Sequence, residues 1–277
     1  MELEITDKLA ALAHPKRLAL FRLLMRRYPD SVPAGEIAAA LGYKANTASA
    51  YLTVLKQAGL ISQQRQGTSL FYGANLSGLR GMFDELLAGC CRNRPDVCAP
   101  ASGEALPMPA AGRPLNVLFT CTGNSARSLL AEAILNREGG GKFRAYSAGT
   151  RPSGGPHPEV IALLNANGYD TSPLSSKDLD RFAAGDAPKM DFIFTVCDAA
   201  ANEECPAWPG QPMSAHWGLA DPVRAEGTEA EQSLAFQQAY GLLLNRIRAF
   251  AALPFETLDR LSLQHRVDGI GQMQRPE

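Results

Sequence analysis

The chain has 277 residues, 45% apolar and 20% charged, enough for two globular domains, and no apolar run nears membrane-span length. No apolar leader opens it, so a cytoplasmic location is expected, where six cysteines favour metal or redox chemistry over structural disulfides. Residues 1–98 carry 12 Lys+Arg against 8 Asp+Glu and the remainder 15 against 20, so the first third is the part suited to a nucleic-acid partner.

Residues 5–27 read as one or two helices, with Leu9, Leu12, Leu18, Leu20, Leu23 and Leu24 at helical spacing and Pro15 in first-turn position. Pro33 to Leu41 gives a short helix, stopped by Gly42. Lys44 to Ala58 gives another, with Ala48, Leu52 and Leu55 inward and Gly59 as its stop. Leu60–Gln64 and Ser69–Gly73 alternate around Arg65-Gln66-Gly67-Thr68, a hairpin with glycine at its tip. Helix, turn, helix, hairpin is a winged helix-turn-helix, whose second helix enters the major groove. Its outward residues Lys44, Asn46, Thr47, Ser49 and Tyr51 suit base edges and phosphates, and Lys56 and Arg65 would reach the backbone.

His14-Pro15-Lys16-Arg17-Leu18, Glu36-Ile37-Ala38, Leu52 to Ile61 and Gly67 to Tyr72 resemble the ArsR-type arsenical-resistance repressors over roughly residues 5–90. The resemblance implies a homodimer, paired through terminal helices, that binds operator DNA. Tyr51 departs from it, since the family usually carries His there, and residues 33–42 lack the family's cysteine pair. A helix over 76–87 leads instead to Cys90, Cys91 and Cys98. Three thiolates in a pyramid suit arsenite, the expected inducer ligand, whereas zinc would want a fourth ligand and no His is near.

Residues 99–113, rich in Ala, Pro and Gly, read as a linker. The second domain opens with an apolar strand (Val117, Leu118, Phe119), a loop of small residues and a helix-periodic run from Leu129. That layout makes an oxyanion cradle. Cys121 ends the strand and Arg127 closes a Cys-x5-Arg loop. The N–H groups of Thr122, Gly123, Asn124, Ser125, Ala126, Arg127 and Ser128 would converge on one anion, with the Arg127 fork gripping two of its oxygens. The same positive field is expected to lower the Cys121 pKa and leave a thiolate at neutral pH.

Strands are expected at Phe143–Ala148, Asp191–Val196 and Met213–Trp217, and helices at His157–Asn167 and Glu229–Leu253. The alternation predicts an open parallel sheet with the cradle at the carboxyl end of its first strand. The fold class is thus an α+β winged helix-turn-helix domain followed by an α/β domain. The expected boundaries are 1–98 for the DNA-binding and sensing domain, 99–113 for the linker, 114–253 for the second domain and 254–277 for an amphipathic helical tail.

The Cys121–Arg127 loop, the pair Cys197 and Cys205, and Asp221-Pro222 resemble the low-molecular-weight tyrosine phosphatase superfamily, in particular its arsenate reductases, over about residues 115–253. The resemblance implies that Cys121 attacks arsenic(V), with Asp221 as general acid for the departing water and Asn124 and Ser128 shaping the loop. Cys197 then attacks Cys121 and releases arsenite, and Cys205 attacks Cys197 to leave a disulfide for an external thiol reductant, thioredoxin or glutathione with glutaredoxin. No bound cofactor is expected. His14, His157, His216 and His265 are given packing or surface roles, as are Trp208 and Trp217.

The combined reading is an arsenite-responsive repressor fused to an arsenate reductase. Its rivals are a tyrosine phosphatase fused to a regulator, and a pure regulator whose second domain binds an oxyanion without turning it over. Val223 and Arg224 after the Asp-Pro, where the phosphatases place aromatic residues, weigh against the first rival.

Overall fold

The computed structural model describes residues 2–87, 113–184, 187–203, 208 and 212–273. Residues 2–87 form one compact unit and 113–273 a second.

In the first unit, helices α1 (Glu2–Leu12) and α2 (Pro15–Arg27) meet at Pro15, which occupies the first helical turn as its fixed φ allows. A two-residue strand β1 (Val32–Pro33) leads into α3 (Ala34–Ala40) and, through Gly42 at φ 65°, into α4 (Ala45–Gln57). Leu20, Leu23 and Leu24 of α2 pack with Leu52 and Leu55 of α4 and with Ile37, Val32 and Tyr72. Arg27 of α2 reaches Glu36 of α3 at 2.7 Å. Strands β2 (Ile61–Gln66) and β3 (Ser69–Ala74) form the hairpin, and β1 joins its other edge in the order β1-β3-β2. Gln66 pairs with Ser69, so the turn is only Gly67-Thr68, with Gly67 at the φ of 59° that a two-residue turn opening on glycine requires. Helix α5 (Leu76–Glu85) follows, capped by the Asn75 side chain. The sequence reading missed β1, because two residues carry no periodicity, and it ended β2 at Gln64 rather than Gln66.

The second unit is a four-stranded parallel sheet in the order β5-β4-β6-β7, with β4 at Leu115–Cys121, β5 at Phe143–Gly149, β6 at Phe192–Thr195 and β7 at Met213–His216. One face carries α6 (Arg127–Glu138), α7 (Pro158–Ala166) and α10 (Glu229–Ala251) over a core of Leu129, Leu130, Ile134, Phe194, Leu243 and Phe250. Residues Leu118, Ala148, Leu179, Phe182, Met190 and Ile193 fill the other, along with the short α8 (Asp180–Ala183). Covering on both faces explains why β4 and β6 read as unbroken apolar runs. Another short helix, α9 (Asp198–Asn202), follows β6. Helix α11 (Arg260–Gly271) is built into this unit: Leu263, Val267 and Ile270 are buried in the same core as Trp217, which stacks on Phe194 at 4.1 Å between ring centroids. Within the segment read as an amphipathic helical tail, residues 260–271 thus form a helix whose apolar side belongs to this core.

Candidate functional site

The chain crosses from β4 to α6 where the strand order reverses, with β5 on one side of β4 and β6 on the other. Such a switch point opens a crevice beyond the carboxyl ends of the strands. Cys121 is the last residue of β4, and Thr122 to Ala126 turn across the crevice into the first turn of α6. Five successive carbonyls of this turn face outward to donors on the segments beside it. Cys121 O accepts from Thr150 N at 3.1 Å, Thr122 O from Arg151 N at 2.9 Å, Gly123 O from Ser153 N at 2.8 Å and Ser125 O from His157 N at 2.9 Å. Asn124 O accepts from the Ser176 hydroxyl at 2.6 Å. With its carbonyls so engaged, the loop's N–H groups are left for the concave side, the arrangement of an anion nest.

Close packing fixes the small residues. A Cβ on Gly123 would sit 2.5 Å from Ser153 Oγ, and one on Gly149 2.6 Å from Thr122 O. Asn124 is the one described non-glycine residue at positive φ, 44°. Asn is among the residues that tolerate this region best, and its fully buried amide is engaged on every side. Its Oδ1 accepts from Lys177 N at 2.6 Å, while Nδ2 donates to Ser128 Oγ and to Ser147 Oγ, both at 2.8 Å. The Ser147 hydroxyl donates to Glu132 Oε2 at 2.5 Å, and Lys177 Nζ lies 3.1 Å from the same oxygen. Ser128 Oγ, which accepts from Asn124, lies 2.9 Å from Cys121 Sγ, and either atom of that pair can donate. The Asn124 N–H donates to the same sulfur at 3.2 Å.

Ser147, Glu132 and Lys177 escaped the sequence reading. The available signal was Glu132, an acid set in the apolar run Leu129 to Leu135. Burial pushes its carboxyl up, and Lys177 and Ser147 pull it back.

Burial also pushes the Cys121 thiol above its ordinary value. The Ser128 hydroxyl, the Arg127 charge and the Asn124 N–H pull it down, and charge on Cys197 would push it further up. The expectation of a lowered pKa is corrected in sign: it weighed the positive field and left out the loss of water around a sulfur that is 3% exposed.

Arg127 spends two nitrogens on the loop after β7. Nη1 donates to Leu219 O at 3.2 Å and Nη2 to Asp221 Oδ2 at 2.6 Å. Asp221 caps the short turn Pro222–Arg224, its Oδ1 accepting from Val223 N at 3.3 Å. The candidate anion clamp and the candidate acid thus form one ion pair at the cradle.

Cys197 follows β6 and is buried. Its sulfur accepts from Ala200 N at 3.4 Å at the start of α9 and lies 3.4 Å from Thr122 Oγ1. The second thiol therefore contacts Thr122, the residue next to Cys121 in the chain. Among the described residues both cysteines are free thiols. Cys205, and the sensor candidates Cys90, Cys91 and Cys98, lie outside the described residues. His216 is fully buried, with Nε2 2.9 Å from Asp198 Oδ1.

On the first unit, Lys44, Asn46 and Ser49 are exposed on α4 and the residue before it, and Thr47 is half-buried. Lys56 is exposed and donates to Gln63 Oε1 at 2.8 Å, and Arg65 is exposed on the wing. Tyr51 differs from its expected outward role. It is half-buried, its ring 5.1 Å from His14 and 6.0 Å from Tyr43, and it packs on the core.

A Cys-x5-Arg cradle at the switch point of a parallel sheet, facing an Asp on a loop after the last strand, defines an oxyanion-handling thiol site. The chain belongs to the low molecular weight phosphotyrosine protein phosphatase family, whose model matches residues 116–262, with a helix-turn-helix domain matched over residues 12–64. Its second domain is arsenate reductase-like. Arsenate reductase of Bacillus subtilis (strain 168) is 36% identical over 135 residues, 49% of this chain and 94% of that protein. Arsenate reductase of Halalkalibacterium halodurans is 35% identical over 135 residues, again 49% and 94%. A solved arsenate reductase in its oxidised state is 28% identical, covers 50% of this chain and 96% of that one, and has a TM-score of 0.41.

Proposed function

We propose that the second domain reduces arsenate to arsenite and that the first represses transcription until arsenite binds. The observation that carries the enzymatic half is the pairing of two buried thiols at one oxyanion cradle, Cys121 on its floor and Cys197 held through Thr122. A phosphatase needs only the first.

The reaction balances on this chain's own residues. Cys121 gives its proton to an oxygen of the bound arsenate and attacks arsenic(V) held by the loop N–H groups and Arg127. An As–O bond breaks, and Asp221 protonates the departing oxygen so that water leaves. Cys197, as thiolate, attacks Cys121 sulfur. The S–As bond breaks with its electron pair passing to arsenic, which leaves as arsenite. Two thiols have become one disulfide, and two electrons have gone to arsenic. Attack by Cys205 on Cys197 frees Cys121 and leaves a Cys197–Cys205 disulfide, which an external thiol reductant, thioredoxin or glutathione with glutaredoxin, reduces.

Asp221 cannot serve as acid while it is ion-paired to Arg127. An oxyanion gripped by Arg127 competes for the same nitrogen and frees Asp221, so substrate binding and activation of the acid are coupled.

In the regulatory half, α4 with Lys44, Asn46, Thr47 and Ser49 reads the major groove of a two-fold operator, and Lys56 and Arg65 contact phosphates. A homodimer through the terminal helices supplies the two half-sites. Cys90, Cys91 and Cys98 hold arsenite as three thiolates and release the DNA. The test of the enzymatic half is arsenate-dependent oxidation of NADPH coupled through thioredoxin or glutaredoxin. Absence of turnover with both systems would leave an oxyanion-binding regulator.

A further inference from the structure

We propose that Arg246, completed by the chain segment after α11, is a positioning residue that holds the Asp221 loop in register with the cradle. The inference rests on the reading of Asp221 as the general acid.

Arg246 lies on α10, well away in sequence from the cradle, and is fully buried. Its guanidinium donates to backbone carbonyls. Nη1 reaches Trp217 O at 3.0 Å and Gly218 O at 3.3 Å. Nε and Nη2 reach Met273 O at 3.3 and 3.2 Å. The next carbonyl along, Leu219 O, accepts from Arg127. Three successive carbonyls, of residues 217, 218 and 219, are therefore held by two guanidiniums, one from inside the domain and one from the anion site. Asp221 follows two residues later.

That division of labour matters during turnover. When Arg127 turns to an oxyanion, its hold on Leu219 and Asp221 weakens, and Arg246 keeps the loop in place. Helix α11 completes the anchor. Trp217 Nε1 donates to Val267 O at 3.0 Å, and a Cβ on Gly271 would come 2.6 Å from His216 O, so the helix lies directly on the start of the loop. Met273, just beyond it, closes the Arg246 fork. The family model stops at residue 262, before most of α11 and before Met273, so this part of the anchor lies outside the matched segment.

The test compares wild type with Arg246→Lys, Arg246→Met and a chain ending at Gly271, all otherwise full-length. Arsenate kcat and KM, binding of inorganic phosphate and peptide-level amide exchange are measured for each. Arg246→Met should lower kcat at least tenfold, with phosphate affinity no weaker than that of wild type, and Arg246→Lys should recover part of the loss. Adding Arg246→Met to Asp221→Asn should cost nothing further. Amide exchange over 217–224 should quicken at least tenfold, while that of 121–128 stays unchanged. Unchanged exchange over 217–224, or equal quickening in both segments, would overturn the proposal. So would a kcat loss additive with Asp221→Asn. Amide exchange does not depend on turnover. A wild type that fails to reduce arsenate therefore removes the functional reading, while the exchange result still decides the positioning claim. If Arg246→Met fails to fold, Arg246→Lys and the shortened chain carry the same comparison.

Discussion

Arg127 Nη2 and Asp221 Oδ2 lie 2.6 Å apart, so the residue proposed to grip the substrate and the residue proposed to protonate its leaving group are an ion pair. Because the anion must displace Asp221, removing that carboxylate's charge has two opposite effects. Asp221→Asn should lower kcat by about 10²- to 10⁴-fold, the usual worth of a positioned acid. The same variant should bind inorganic phosphate more tightly, since the competitor is neutral. Calorimetric titration with phosphate beside steady-state kinetics checks both, and weaker phosphate binding would mean that the pair does not compete. Arg127→Lys should lose both activity and phosphate binding, because an ammonium lacks the planar fork.

The Cys121 thiol sits above its ordinary pKa chiefly through burial, with Ser128 as the largest opposing influence. Thiolate grows as pH rises, so alkylation by iodoacetamide should be slow at neutral pH and rise toward alkaline pH. Ser128→Ala removes a donor to the thiolate and should move that profile further up. Cys197→Ser removes a like charge and should move it down. Rates of alkylation at Cys121 across the pH range, read by mass spectrometry, decide the signs.

Glu132 and Lys177 form a buried pair beneath the cradle. Lys177→Met leaves a buried carboxylate without its cation, at a cost of about 3–5 kcal/mol. The double variant Lys177→Met with Glu132→Gln should recover much of that, since no buried charge remains. Urea denaturation of the four proteins of the cycle checks it, and additive losses would mean that the pair is not coupled.

How much of this was legible in the chain depends on where the partners lie. Cys121, Arg127, Pro15, Gly59 and the Gly67 turn are local signals, each written in a few consecutive residues. Asn124 lies in the Cys121–Arg127 loop and Ser128 next to it, and both are legible with it, whereas Ser147, Glu132 and Lys177 are scattered over β5, α6 and the segment after α7, and only the fold brings them to the Asn124 side chain and its neighbours. Glu132 in particular breaks an apolar run, which reads as a tolerated surface acid until the sheet covers it. Tyr51 stands at an outward helical position, yet its ring turns back onto His14 and Tyr43, a contact that no periodicity encodes. The sign of the Cys121 shift depended on depth of burial, which a motif does not carry.

The exposed Lys44 and Arg65 should each contribute to phosphate contact. Their joint replacement by Ala removes two phosphate contacts from each protomer of the dimer and should weaken operator binding and reduce the slope of log K against log salt by about four. An unchanged slope in a fluorescence-anisotropy titration would remove them from the interface. Replacement of Cys90, Cys91 and Cys98 by Ser should abolish release of the DNA by arsenite while leaving repression intact, and normal release would place the sensor elsewhere.

In the proposed reaction this chain's own thiols supply the electrons that turn arsenate into arsenite. The direct measurement is a single turnover without any external reductant, in which reduced protein is mixed with excess arsenate, and arsenite and free thiols are counted. With Cys90, Cys91 and Cys98 replaced by Ser so that no thiol is masked by the product, the chain should form one arsenite and lose two thiols per second domain, and with Cys121→Ser added it should do neither. Arsenite production by Cys121→Ser, or none by fully reduced wild type, would contradict that reaction.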